Sequence, residues 1–308
     1  MLPLPVIHYS REDPRTTVGG VQRFARNLER IFAEVRYLTP DSPGREQAAR
    51  SGVPIICDNQ LVRDWPEEIP VIGFQHGVAA VKFQATRTLG HWRLWRAQRR
   101  AAGRPNTLWV ACARWVAEAC GRLYGNRAEH VIYYPVDTEP FDGRRNPEPR
   151  LLLHDARTEN KGSRLIPRLQ RAFPDWRFEL LGVQPEQVPD RLRRGAAFLH
   201  LSRYEGNSLV CNEAMAMDLP CLMSRVGLFR EGNSEGPTEV WTVEPGLLRG
   251  RITKLESELR RFLASLGQRS YHPREWILEH ATLAHAERGW REVMLDYQNR
   301  FQRDVELA

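Results

Sequence analysis

A chain of 308 residues is about twice the commonest domain size of ~100–150 residues, so two domains are expected. Hydrophobic residues make up 42% and charged residues 27%, the composition of a folded globular protein, which excludes a largely disordered or fibrous chain. The net charge is +7, and because only Lys82, Lys161 and Lys254 are lysine, the other 42 basic residues are arginine. Codon preference in a GC-rich genome accounts for that bias without any site. The functional reading is a surface whose planar guanidinium groups fork onto phosphates or anionic headgroups.

The five cysteines, Cys57, Cys112, Cys120, Cys211 and Cys221, form no Cys-x-x-Cys pair and sit in apolar runs. They read as small buried hydrophobes in a reducing compartment. No apolar stretch approaches the ~18–20 residues that span a bilayer, and Met1-Leu2-Pro3 opens no charged-then-apolar leader. A cytoplasmic protein is expected, with peripheral attachment to a membrane face compatible with the composition.

Short apolar runs alternate with longer helical patterns, the signature of βα units and a mainly parallel sheet. Strands are expected at residues 4–9, 35–38, 54–57, 71–75, 108–111 and 131–133, with helices at 20–32, 82–101 and 114–123. A stretch rich in Pro, Asp and Arg, residues 134–150, then interrupts the alternation as an interdomain linker does. Beyond it, strands are expected at 151–154, 177–181, 197–201, 220–224 and 240–243, with helices at 163–172 and 208–217. The tail from Leu247 to Arg303 reads as helical, broken near Pro273, and Trp290, Met294, Tyr297 and Phe301 form one apolar stripe on it. Ligands of open parallel sheets bind beyond the carboxyl ends of the strands.

Three strand-to-helix junctions can carry chemistry. In the first, Glu205-Gly206-Asn207-Ser208-Leu209 follows a strand and opens a helix that contains Glu213. Gly206 and Asn207 permit a tight loop, Ser208 is a natural N-cap, and first-turn amides point beyond the strand. Two carboxylates eight positions apart suit pairs of sugar hydroxyls, or else Glu205 is solvated and Glu213 pairs at the surface. In the second, Asp155-Ala156-Arg157-Thr158-Glu159-Asn160-Lys161-Gly162 brings two cations, Arg157 and Lys161, to a strand end. They could neutralise a departing phosphate or be plain surface charges. In the third, Gly19 and Gly20 after the first strand let backbone amides approach an anion.

Together these junctions resemble the retaining glycosyltransferases of family 4. The resemblance is most specific from Leu151 to Arg230, with Arg157, Lys161-Gly162, Leu181-Gly182, Glu205-Gly206 and Glu213-Ala214-Met215-Ala216 in order before Pro220. Gly19-Gly20 resembles the family's N-terminal glycine loop. Phe74-Gln75-His76-Gly77 resembles the strand end carrying its active-site histidine, and Trp290 to Phe301 its final helix. The resemblance implies a GT-B fold of two Rossmann-like domains facing across a cleft. It assigns residues 1–140 to an acceptor-side domain, 141–285 to a nucleotide-sugar-binding domain and 286–308 to a helix crossing back to the first.

It further implies transfer of a sugar, with retention, from a UDP- or GDP-linked donor to a hydroxyl acceptor. Arg157 and Lys161 would hold the diphosphate, helped by amides near Gly19 and Gly20. Glu213 would take the ribose hydroxyls, Glu205 with Gly206, Asn207, Ser208 and Leu209 the transferred sugar, and His76 would contact that sugar near the reacting centre. No metal or other cofactor is called for, and no Asp-x-Asp pair occurs in the sequence. Asp218 departs from the pattern, standing where a glycine is usual, and Arg157 and Lys161 are four apart where five is commoner.

Within the first domain, Arg93, Arg96, Arg99 and Arg100 share a helix with Trp92 and Trp95 and are acceptor-side candidates. Such a helix can lie on an anionic membrane to reach a lipid-linked glycan. It can rest on nucleic acid with a tryptophan free to stack, the acceptor then being a hydroxylated base, or it can be a solvated helix with core tryptophans. The rival to an enzyme is an arginine-rich nucleic-acid-binding protein on a degenerate transferase scaffold.

Overall fold

The computed structural model describes residues 1–17, 19–230, 236–237, 239–249 and 252–302. Val18 of the glycine loop, and Gly250, Arg251 and Arg303 of the tail, lie outside the described residues. The chain divides into two compact units at Pro135/Val136 and Thr282/Leu283, the first unit regaining the chain from Leu283 onward.

The first unit is built on a six-stranded parallel sheet: β1 (Leu2–Tyr9), β2 (Phe32–Leu38), β3 (Ile55–Asp58), β4 (Val71–Gln75), β5 (Thr107–Ala111) and β6 (His130–Val131). Their order in space is β2-β1-β3-β4-β5-β6. Every residue of β3 and β4 is buried, as expected of central strands covered on both faces. The connections reverse direction between β1 and β3, so the crevice beyond the ends of those two strands is the switch point at which doubly wound sheets bind ligands.

Helix α1 (Gly20–Leu28) is shorter than the sequence reading, because Phe32 starts β2 instead of ending a helix. A short helix, α2 (Arg45–Arg50), follows β2. The single helix expected over 82–101 is two, α3 (Ala79–Thr86) and α4 (Leu89–Ala101). The break falls at Arg87, which adopts a left-handed φ of 55° as the C-cap of α3, a conformation that ordinary side chains rarely announce in sequence. Helix α5 (Arg114–Tyr124) follows β5 and ends on left-handed Gly125.

In the second unit β7 (Leu151–His154), β8 (Arg177–Leu180), β9 (Ala197–His200), β10 (Cys221–Ser224) and β11 (Trp241–Val243) form a parallel sheet in the order β11-β10-β9-β7-β8. Here the switch point lies between β7 and β9. Helices α6 (Ile166–Ala172), α7 (Val188–Arg194), α8 (Leu209–Ala216), α9 (Ile252–Ser265) and α10 (Arg274–His280) complete the unit. Leu152, Leu199 and Leu222 of the sheet share a core with Leu255, Leu259 and Phe262 of α9. Asp218, the departure noted above, has a φ of 55°, which explains why a glycine is the usual occupant. Aspartate tolerates that region better than most residues, and here its carboxylate accepts the Arg274 amide at 3.2 Å.

The last helix, α11 (Leu283–Phe301), packs on the first unit's sheet. Trp290 is fully buried, its ring 5.6 Å from Phe32 and 5.8 Å from Phe74, and the Tyr297 hydroxyl donates to the Pro70 carbonyl at 3.1 Å. The break near Pro273 is present as the N-cap of α10, and a second break at Ala281 and Thr282 precedes α11.

Candidate functional site

Each switch point carries a buried aspartate held by histidine. In the second unit Asp155 follows β7 and is 4% exposed. His200, at the end of the adjacent β9, donates from Nδ1 to Asp155 Oδ1 at 2.7 Å. Lys161 donates from Nζ to Asp155 Oδ2, also at 2.7 Å. Glu205 closes the group: its Oε1 lies 3.5 Å from Lys161 Nζ and 3.5 Å from His200 Nε2. Two cations and two anions thus share the strand ends.

The electrostatics follow from that enclosure. Burial alone would raise the Asp155 carboxyl, but His200 and Lys161 hold it well below the usual carboxylate range. Burial opposes charge on His200, yet Asp155 outweighs it and lifts the imidazole well above its ordinary value. Lys161 is likewise desolvated, and Glu205 with Asp155 keeps its ammonium charged. The Lys161 side chain remains 31% exposed, so a cation fixed on its inner side by two carboxylates still reaches solvent.

Lys161 is placed there by local geometry. It ends a 3₁₀ turn, Glu159–Lys161, whose C-cap Gly162 has φ 82°. A β-carbon at Gly162 would stand 2.8 Å from Leu201 Cβ and 3.0 Å from its carbonyl oxygen, so only glycine fits. Arg157, the other cation read from sequence, is exposed and anchored, its guanidinium donating to the Leu181 carbonyl at 2.7 Å.

The loop from Glu205 leads through Gly206 and Asn207 into α8. Ser208 is the N-cap of α8, as its residue type suggested, although its side chain makes no capping bond. Leu209 opens the helix, and Glu213 is buried at 1% exposure, which excludes the surface-paired alternative. In the first unit Gly19 is the extended N-cap of α1 and Gly20 its first residue. A β-carbon at Gly19 would meet the Gln22 side chain, whereas one at Gly20 would meet nothing within 4 Å.

His76 follows β4 and is nearly buried. Its Nε2 lies 2.7 Å from Asp58 Oδ1 and its Nδ1 2.5 Å from the Tyr134 hydroxyl. The same Asp58 oxygen accepts from His8 Nε2 at 3.0 Å. Burial would raise the Asp58 carboxyl, and the two imidazoles beside it hold it below the usual range. Both ring nitrogens of His76 are thus engaged by groups of the first unit.

The arginines of α4 form a separate surface. Trp92, Trp95, Arg96, Arg99 and Arg100 line a groove of about 490 Å³, and Arg93 is exposed on the same helix. Trp95 is stacked on Phe83 at 5.8 Å, and Arg96 sits 5.0 Å over the Trp92 ring. Among the described residues no helix is long and apolar enough to cross a membrane. The five cysteines are buried and unbridged.

Sequence reasoning quoted Asp155 without a role and missed His8, Asp58, Tyr134 and His200. The signal was present for Asp155 and His200, polar residues at the ends of apolar strands whose adjacency only the sheet order reveals.

Residues 159–261, which include Lys161, Glu205 and Glu213, match the family model of glycosyl transferases group 1. No curated protein matches the chain. Among solved structures, sucrose-phosphate synthase from Thermosynechococcus elongatus superposes with a TM-score of 0.72 at 14% identity, over 95% of this chain and 98% of that one. Anabaena Alr3699/HepE in complex with UDP gives 0.66 at 15% identity, over 96% and 100%. The lipopolysaccharide outer core galactosyltransferase WaaB gives 0.64 at 11%, over 95% and 99%. The matched segment supplies the activity class and the neighbours supply the fold. The chain has the GT-B fold and carries a glycosyl transferases group 1 segment over about a third of its length. The cluster of Asp155, Lys161, His200 and Glu205 stands at the β7/β9 switch point, partly inside the matched segment.

Proposed function

We propose that this glycosyltransferase moves a sugar from a nucleotide-sugar to a hydroxyl acceptor with retention at the anomeric carbon, without a metal. UDP is the favoured donor base, since Alr3699/HepE was solved with UDP and with UDP-glucose. The observation that carries the reading is Lys161, a cation held by Asp155 at 2.7 Å with one side open to solvent. Fixed cations stabilise charge that develops on a leaving diphosphate without reorganising during the reaction.

Arg157 and Lys161 take the diphosphate, with amides near Gly19 and Gly20 as a second anion contact. Glu213 accepts from the ribose hydroxyls. Glu205 and the amides of Gly206, Asn207, Ser208 and Leu209 hold the transferred sugar. In the step itself the bond from the anomeric carbon to the diphosphate oxygen breaks and a bond to the acceptor oxygen forms on the same face. The acceptor proton passes to the departing diphosphate. No protein nucleophile enters, so the protein supplies positioning and charge. Arg93, Arg96, Arg99 and Arg100 serve a remote anionic part of the acceptor.

The experiment is a panel of UDP-, GDP- and ADP-sugars, with release of the nucleoside diphosphate as readout. Turnover of a UDP-sugar is expected. Failure to bind or consume any member of the panel would overturn the reading.

A further inference from the structure

His200 ends β9 wholly buried, and its two ring nitrogens face two different carboxylates. Nδ1 is 2.7 Å from Asp155 Oδ1, and Nε2 is 3.5 Å from Glu205 Oε1. An ionised carboxylate only accepts hydrogen bonds, so the ring is matched on both sides only when both nitrogens carry protons. A neutral ring would keep its proton on Nδ1, where the contact is short, and would set the bare lone pair of Nε2 against Glu205. The Nε2 proton therefore decides whether Glu205 is drawn in or pushed away. Nε2 and Oε1 are both buried and make no other hydrogen bond among the described residues. A shift of roughly half an ångström would bring them to ordinary bonding distance. The Glu205 side chain is nevertheless 17% exposed, so its anchored oxygen points inward while another part of the side chain reaches solvent.

The groups packed around the ring favour its charge. Asp155, which follows β7, outweighs burial and lifts the imidazole well above its ordinary value. Lys161, from the 3₁₀ turn, is a cation already bonded to the other Asp155 oxygen at 2.7 Å. From α8 comes the Cys211 thiol, which burial pushes up and keeps neutral. From β10 the register neighbour is Met223, which carries no charge.

We infer that His200 is a positioning residue: as an imidazolium braced on Asp155 it turns Glu205 Oε1 inward, and through Glu205 it sets the grip on the transferred sugar. This rests on the transfer reading above, in which Glu205 holds that sugar and Lys161 the diphosphate. Two affinities then separate. Binding of a sugar nucleotide depends on the Nε2 proton, whereas a bare nucleoside diphosphate has no sugar to place on Glu205 and depends on it less. As pH rises through the imidazole's folded value, Nε2 loses its proton and the sugar is held more weakly.

The test is calorimetric binding of UDP-glucose, UDP-galactose, UDP-N-acetylglucosamine and GDP-mannose to the full chain, beside UDP and GDP, from about pH 6.5 to 9.5. For the sugar nucleotide that binds, the ratio of its affinity to that of the matching diphosphate is expected to fall about tenfold as pH rises, the worth of one hydrogen bond to a charged group. His200→Gln keeps a donor for Asp155 and has no charge to lose, so it should show the lowered ratio at every pH. In a Glu205→Gln background the same substitution should leave the ratio unchanged, because the two residues act through one contact. Thermal unfolding checks the variants, and the wild-type profile stands without them. A ratio that neither pH nor His200→Gln moves, or a His200→Gln effect equally large with and without Glu205, would overturn the role of His200 and leave the donor site in place. A chain that binds none of these ligands would overturn the transfer reading, and this inference with it.

Discussion

Replacing Asp155 by asparagine tests whether the buried cluster is an electrostatic unit. The carboxylate lies 2.7 Å from the donors of both Lys161 and His200 and is nearly inaccessible. Asparagine keeps the shape and removes the charge. Deleting one partner of a buried ion pair typically costs ~3–5 kcal/mol, because the remaining charge is left uncompensated. Here the cost should depend on pH. His200 is raised above its ordinary value chiefly because Asp155 outweighs burial, so its stabilisation is complete below the unfolded histidine value of about 6.5 and is lost as pH rises through the folded value. In Asp155→Asn the imidazole loses that support and can release its proton, which as pH rises leaves Lys161 as the one cation beside Glu205, the remaining carboxylate of the cluster. Urea unfolding should therefore show the full penalty near pH 6 and a smaller one near pH 8.5, the wild type losing up to about 1.4 kcal/mol per pH unit from this group. Adding His200→Gln should recover part of the loss, since the two residues are coupled. A penalty identical at both pH values, with strictly additive double-variant energies, would refute the argument.

Lys161→Ala and Glu213→Ala should each lower transfer by ~10²-fold or more with the fold retained, as removal of a preorganised charge does elsewhere; wild-type turnover in both would take these residues out of the mechanism. Gly162→Ala places a β-carbon 2.8 Å from Leu201 Cβ at a φ of 82°, and should destabilise by ~1–3 kcal/mol; a neutral effect in urea unfolding would contradict the close approach. Trp290→Ala empties a fully buried site between Phe32 and Phe74 and should cost ~3–5 kcal/mol, a loss below ~1 kcal/mol meaning that α11 does not hold the first unit's sheet.

Much of this molecule was legible before the chain was folded, and the exceptions have physical causes. β4 and β7 fall where their apolar runs begin and end, because both are central strands with no polar side to blur the pattern. The loop from Glu205 and the helix behind it were legible because a strand, a turn and an N-cap must follow in that order. Helix α7 was missed, since Pro189 and three arginines leave it only Val188 and Leu192 to bury. The α3/α4 break was hidden because Arg87, not a glycine, takes the left-handed turn. Lys161 and Glu205 were read as site residues from local sequence, but Asp155 and His200, which hold them, are 45 positions apart and meet only because β7 and β9 are neighbours. The same holds for His8, Asp58 and His76, joined across the first sheet. Local pattern reveals which strand ends are busy; strand order decides which of their polar groups touch.

The most direct measurement is a crystal structure of the full chain soaked with UDP. The account predicts the diphosphate against Lys161 and Arg157 and the ribose hydroxyls on Glu213. UDP seated away from all three residues, with the cluster around Asp155 untouched, would contradict it.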